Sequence, residues 1–314
     1  MMQQNLSISS FKRFLAVILF PFLAACIVIG TAVNYFFEKK IILGTEISGA
    51  YKVNRIINDL HKDEIPFFGS SRCEGSFIPD SLVKNGFNYG MSGIQDDVLL
   101  FFLKEECNKV GKTTPIIINF DLDGLNYSLG DLSYYIPNAG YSAVKELLGS
   151  SYKPIYQFPL LKYYGSFELS FKYYMNNKLN LTTFSNKGAT IEKNELSKQK
   201  FDESVRDRLA TENIFQNDKK LLVDFLQTIE TNKSRKFIIV IAPYHNSFFN
   251  KFTNYAEAEG FLNSLKRFEN IVVFNFAKTV YPDNFFFNTT HLNLKGAVVF
   301  NRQLKDSLNT YINR

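Results

Sequence analysis

Ser71, in the run Phe67-Phe68-Gly69-Ser70-Ser71-Arg72, and His291, in Asn288-Thr289-Thr290-His291-Leu292-Asn293, are the side chains best suited by type to do chemistry together. A serine hydroxyl becomes a nucleophile once an imidazole takes its proton, and acyl transfer is the chemistry that pairing serves. The tetrahedral intermediate then needs N–H donors already aimed at its oxyanion, each contributing about 3–4 kcal/mol. The backbone N–H groups of Ser71 and of Gly93, in Asn88-Tyr89-Gly90-Met91-Ser92-Gly93, are the candidates. The base also needs an orienting acceptor. Asn288, three residues before His291, offers an amide oxygen without the charge of a carboxylate, and Asp283, five residues further upstream, is the carboxylate that could take its place if the turn folds back. Arg72 and His245 are candidates for substrate contact. Plainer roles stand beside these: Ser71 could cap the helix that follows it, Arg72 could pair with Glu74, and His245 could be structural. Three cysteines, with no CxxC and no Cys/His cluster of metal-ligand spacing, imply neither a metal nor an organic cofactor.

Ser71 and His291 lie far apart in the chain, so only the fold can bring them together. Short apolar runs at Ile65–Phe68, Phe87–Tyr89, Pro115–Phe120, Lys236–Ala242 and Asn270–Phe276 alternate with amphipathic stretches such as Asp96–Val110, Asp218–Thr231 and Tyr255–Arg267. The third and fourth runs are continuous and rich in isoleucine, as strands buried on both faces are. Strands separated by helices predict a parallel sheet with right-handed crossovers, here an α/β, flavodoxin-like, five-stranded domain. Ligands of such sheets bind beyond the carboxyl ends of the strands, and each candidate residue follows a strand. The stretch from 126 to about 216 breaks the alternation without a convincing strand and reads as a mostly helical insertion, with aromatic residues at 158–174 that could line a cleft, rest on a membrane or simply pack.

Those motifs, in that order, resemble the SGNH/GDSL hydrolase superfamily, in particular its membrane-anchored bacterial branch linked to O-acylation of cell-surface polysaccharide. The resemblance runs over residues 65–300, skipping the insertion. It places GSSR where the family has its Gly-Asp-Ser block, making Ser71 the matching nucleophile. It carries the oxyanion glycine onto Gly93 and the base onto His291, with the HLNLKGA segment the most specific piece. Two positions depart from the family pattern. Asp123, in Asp121-Leu122-Asp123-Gly124, stands nearest the third-block Asn that would donate to the oxyanion, and Asn288 stands where a triad aspartate is expected. The resemblance implies a serine esterase or O-acyltransferase, acetyl being the expected group, acting on a cell-surface glycan through an acyl-serine, with a membrane protein as a possible acyl donor. The two departures favour an alternative, a catalytically degenerate glycan-binding or scaffold protein of an envelope polysaccharide system.

The run 14–37 holds 24 residues without a charge, and about 20 suffice to cross a hydrocarbon core. Preceded by Lys12 and Arg13, it reads as an uncleaved signal anchor. The expected layout is a cytoplasmic tail at 1–13, the span, a juxtamembrane helix and linker at 38–64, and an extracytoplasmic domain at 65–314 of a bacterial cytoplasmic-membrane protein. Leu23-Ala24-Ala25-Cys26 resembles a lipobox, which would instead anchor the chain through Cys26. A net charge of +6 over 314 residues, with bases scattered among acids, shows no basic stripe interleaved with aromatics, and nucleic acid is not an expected partner.

Overall fold

A computed structural model of the full chain describes residues 10–58, 61–94, 96–125, 134–158, 171–172, 174–175, 178–179, 182–210 and 213–312. The chain opens with one long helix, α1 (Ser10–Ile42), and α1 is the one helix among the described residues long and apolar enough to cross a membrane. Its large apolar side chains stand exposed, among them Phe22, Ile29 and Phe36, a display that water does not favour on a soluble domain. The apolar surface ends at Phe37 and Ile42, which are buried with Ala50 in a small cluster of their own.

Helix α2 (Gly49–Asn58) leads into β1 (Ile65–Phe68), α3 (Ser71–Ser76), α4 (Pro79–Leu82) and β2 (Gly86–Asn88). Then come α5 (Asp96–Cys107), β3 (Ile116–Asn119) and α6 (Ser142–Leu148), the hairpin β4 (Thr183–Asn186) and β5 (Ala189–Glu192), and α7 (Lys198–Ser204). The chain closes with α8 (Lys219–Thr231), β6 (Phe237–Ile241), α9 (Asn246–Phe249), α10 (Tyr255–Leu265), β7 (Ile271–Asn275) and α11 (Leu294–Ile312). Five strands form one parallel sheet in the order β2-β1-β3-β6-β7, the α/β architecture expected from the sequence.

The central strands are buried because helices cover both faces. β3 and β6 are buried at every position, which is why they read as unbroken Ile/Val runs. One face packs Val53 and Ile56 of α2, Phe102 of α5, Phe225 of α8 and Leu262 of α10. The other packs Phe77, Leu82 of α4, Phe300 and Leu304 of α11, and Ile191 of β5. The segment between α1 and β1 is therefore part of the core. The chain turns one way from β1 to β2 and the other way from β1 to β3, so the switch in strand order lies at the carboxyl ends of β1 and β3, where ligands of open α/β sheets bind. Ser71 begins the helix that follows β1.

Helical turns dominate the described part of the 126–216 insertion, but it also holds the antiparallel β4–β5 hairpin that the sequence reading left out. Lys187 and Gly188 both take positive φ between the paired Asn186 and Ala189, the geometry of a two-residue hairpin turn. The aromatic stretch 158–174 lies largely outside the described residues.

Candidate active site

Ser70, rather than Ser71, caps α3. Its Oγ accepts from the Arg72 N–H at 3.1 Å and donates to Asp121, which leaves the Ser71 hydroxyl with no capping duty. That hydroxyl donates to His291 Nε2 at 2.7 Å. The two residues that the sequence singled out from opposite ends of the domain are in hydrogen-bond contact.

His291 is held by the turn that precedes α11. Phe287 N–H donates to the His291 carbonyl at 2.9 Å, and Phe286 bridges to Leu292 in a short antiparallel contact. Asn293 then closes the turn. Its Nδ2 donates to the carbonyls of Asn284 and Phe286, and its Oδ1 accepts from Gly296 N–H at 3.1 Å, capping α11. A side chain at Gly296 would place its first carbon 2.2 Å from the Phe285 carbonyl oxygen. The His-Leu-Asn-Leu-Lys-Gly pattern is thus a packing requirement: the residues after His291 hold the turn that aims it.

Asn288 Oδ1 accepts from the backbone N–H groups of Thr290 and His291, both at 2.9 Å. Those two donors fix which end of the amide is oxygen, so the His291 Nδ1 that lies 3.0 Å from it carries the proton. Thr290 Oγ1 stands 3.0 Å from the same Nδ1. With Nδ1 protonated, the Nε2 lone pair faces the Ser71 hydroxyl, the tautomer that a general base requires. Burial, followed by the positive charges of Arg72 and Arg208, lowers the His291 pKa to about 3. The imidazole is neutral at physiological pH and a weak base.

Three candidates from the sequence stand elsewhere. Asp283 does not reach His291; its carboxylate accepts from His245 Nε2 at 3.0 Å and is 85% exposed. The turn carries the 283–285 segment outward, and Asn288 reaches the histidine first. His245 is a brace and not a cleft residue. It caps α9, with Nδ1 accepting from Ser247 N–H, and its own N–H donates to the Thr289 carbonyl behind the His291 turn. Arg72 neither pairs with Glu74 nor opens to a substrate. It is 3% exposed and donates to Thr290 O, Asp121 Oδ1, Ala242 O and Pro243 O, with its guanidinium 3.4 Å from the centre of the Tyr244 ring. It ties the start of α3 to the ends of β3 and β6 and to the histidine turn.

Of the oxyanion candidates, Ser71 lines the cleft, and Gly93 and Asp123 do not. Among the described residues, neither the Ser71 N–H nor the Gly93 N–H donates to a protein acceptor. Gly93 takes φ +74° and is exposed next to Ser92, which lines the cleft. The Asp123 side chain is exposed to solvent, away from Ser71 and His291.

The cleft above the pair has a volume of about 290 Å³. Besides Ser71, His291 and Asn288, it is walled by Ile47 and Gly49 from the chain next to α1, by Glu74 and Ser92, and by Thr190 and Glu192 of the hairpin. Apart from Ser92, which lies in the motif that ends at Gly93, none of these wall residues belongs to a motif. Glu74 accepts from Lys52 Nζ at 3.0 Å and, through its other oxygen, from Ser92 N–H at 3.0 Å and Ser92 Oγ at 2.6 Å. Glu192 lies half-buried, and that burial raises its pKa. Among the described residues no group of three or more His, Cys, Asp or Glu side chains could hold a metal ion.

No protein-family model matches the chain, and no curated protein matches it significantly. The parallel sheet with its flanking helices and N-terminal apolar helix is compatible with an SGNH-like fold.

Proposed function

We propose that the protein is a serine esterase or O-acyltransferase that works through an acyl-serine on Ser71. The observation that carries this reading is the relay Ser71 Oγ–His291 Nε2 at 2.7 Å and His291 Nδ1–Asn288 Oδ1 at 3.0 Å, at the wall of a cleft beside the sheet's switch point. Ser71 Oγ attacks an ester carbonyl while its proton passes to Nε2. The tetrahedral intermediate collapses, the C–O bond to the leaving alcohol breaks, and Nε2 returns the proton to that alcohol. Water or a sugar hydroxyl then attacks the acyl-serine and gives its proton to Nε2; the C–O bond to Ser71 breaks, and Nε2 passes that proton to Ser71 Oγ as the acyl group leaves on the new oxygen. The N–H groups of Ser71 and Gly93 are the proposed oxyanion donors.

The exposed apolar length of α1 supports anchorage in a membrane, and Lys12 and Arg13 directly before the apolar run support an extracytoplasmic domain. The resemblance of the motifs to anchored SGNH proteins supports a bacterial cell-surface polysaccharide as acceptor or substrate. A second reading, a non-catalytic glycan-binding or scaffold protein, is favoured by the amide at Asn288 and the low basicity of His291. Covalent labelling of the full chain in detergent micelles with a fluorophosphonate separates the two. Labelling of the wild type that Ser71→Ala abolishes is the expected result. An unlabelled wild type, or equal labelling of Ser71→Ala, would defeat the enzyme reading.

A further inference from the structure

Lys52 lies on α2, the first helix after the membrane segment, and its side chain is completely buried. Its ammonium donates to Glu74 Oε1 at 3.0 Å and to the Gly90 carbonyl. Glu74 sits one turn along α3 from Ser71, lines the cleft, and uses its second oxygen to hold both the N–H and the hydroxyl of Ser92. Lys52 and Glu74 thus clamp the 90–92 turn from two sides. The turn is pressed directly on α3, since a side chain at Gly90 would place its first carbon 2.5 Å from the Glu74 backbone nitrogen. The residue immediately after this clamp is Gly93.

A buried ion pair is weak evidence for stability, because desolvation of both charges offsets most of their attraction, and a hydrophobic pair of similar volume serves as well. This pair does something a hydrophobic pair cannot. The carboxylate is a charged acceptor for a backbone N–H of the turn, and the ammonium is a donor to a carbonyl of the same turn. The Ser92 contact fixes the peptide unit just before the one that ends in the Gly93 N–H, and the Gly90 contact fixes the unit before that. Oxyanion donors act only when they are held at the correct spot before reaction.

We infer that Lys52 is a positioning residue for the reaction, acting through Glu74 to set the Ser92–Gly93 peptide as an oxyanion donor beside Ser71. The inference rests on the acyl-serine reading above and extends the site to a helix next to the membrane anchor. Lys52 touches no substrate, so its effect falls on the rate of bond formation and not on ligand affinity.

The test uses the full chain in detergent micelles and resolves fluorophosphonate labelling of Ser71 into a maximal rate and a half-saturating concentration. In Lys52→Met the maximal rate is expected to fall tenfold to a hundredfold, with the half-saturating concentration within twofold of wild type. Should the single variant fail to fold because Glu74 is left buried without its counter-charge, Lys52→Met/Glu74→Gln removes both charges together, and a fall of at least tenfold in maximal rate is expected there too. A maximal rate that falls less than fivefold in the folded variant overturns the inference. So does a fall in the fraction of protein labelled at an unchanged rate, which is what a purely structural pair would give. Wild-type protein that does not label at Ser71 overturns the acyl-serine reading itself, and the role of Lys52 with it.

Discussion

Replacing Asn288 by aspartate puts a charge where the structure has only a dipole. The exchange keeps the shape of the side chain, whose Oδ1 accepts from His291 N–H, Thr290 N–H, Thr290 Oγ1 and the imidazole. A carboxylate can accept all four. With charge centres about 4 Å apart and an effective dielectric of about 20, carboxylate and imidazolium attract by roughly 4 kcal/mol. That corresponds to about three pKa units. The base would rise from about 3 to roughly 6 by this arithmetic. In serine proteases the opposite exchange, Asp to Asn, lowers turnover about 10⁴-fold, so a tenfold to thousandfold gain is expected from Asn288→Asp. The assay is hydrolysis of p-nitrophenyl acetate by the full chain in micelles, followed from pH 4 to 9. A folded Asn288→Asp protein whose turnover equals or falls below wild type would refute the assignment of Asn288 as orienter. An acid limb that stays where the wild type has it would refute the electrostatic part.

Asp283→Asn is expected to leave esterase turnover within twofold, because its carboxylate meets His245 and solvent, whereas Asn288→Ala should lower it at least tenfold; equal losses in both would contradict the geometry. The low pKa of His291 has a stability consequence of definite sign. Its folded value of about 3 lies below the ordinary value of 6.5, so the unfolded chain takes up a proton first and stability falls as pH drops from about 6.5 toward 3. Replacing His291 by Gln should flatten that part of the denaturation midpoint against pH, and an unchanged slope would place the effect in other groups. Catalysis by wild type should show no acid limb from His291 near pH 6.

The parts of this site that were legible in the sequence are those written in local pattern. β3 and β6 announced themselves because burial on both faces demands unbroken apolar runs. Ser71 and His291 stood out because each follows a strand, in a turn whose neighbours have fixed jobs: Ser70 as cap, Asn293 as cap, Gly296 where no side chain fits. The Lys52–Glu74 clamp was not legible, since nothing local links a lysine to a glutamate 22 positions on, and a buried lysine looks in sequence like any exposed one. Arg72 misled for a related reason. Its nearest acid in the chain is Glu74, but as one of the first residues of α3 it points back under the strand ends, toward Asp121 and bare carbonyls. The hairpin did carry a signal: Lys187-Gly188 follow the Thr-Phe-Ser-Asn of β4, and apolar and polar residues alternate in the Ala-Thr-Ile-Glu of β5. Its shortness, inside a long aromatic insertion, hid it.

If α1 spans a bilayer, its buried end makes it a shaft and not a rope. Phe37 and Ile42 are packed with Ala50, and Thr45 Oγ1 donates to the Ile41 carbonyl at 2.9 Å. Ile47, five positions after Ile42, is a wall of the cleft, a separation that even a fully extended chain could not stretch beyond about 18 Å. With α1 in a bilayer, the height of the cleft over the lipid is set by these few residues. Exchanging α1 for another span, or cutting the chain just before β1, would alter the mouth of the site along with its mooring.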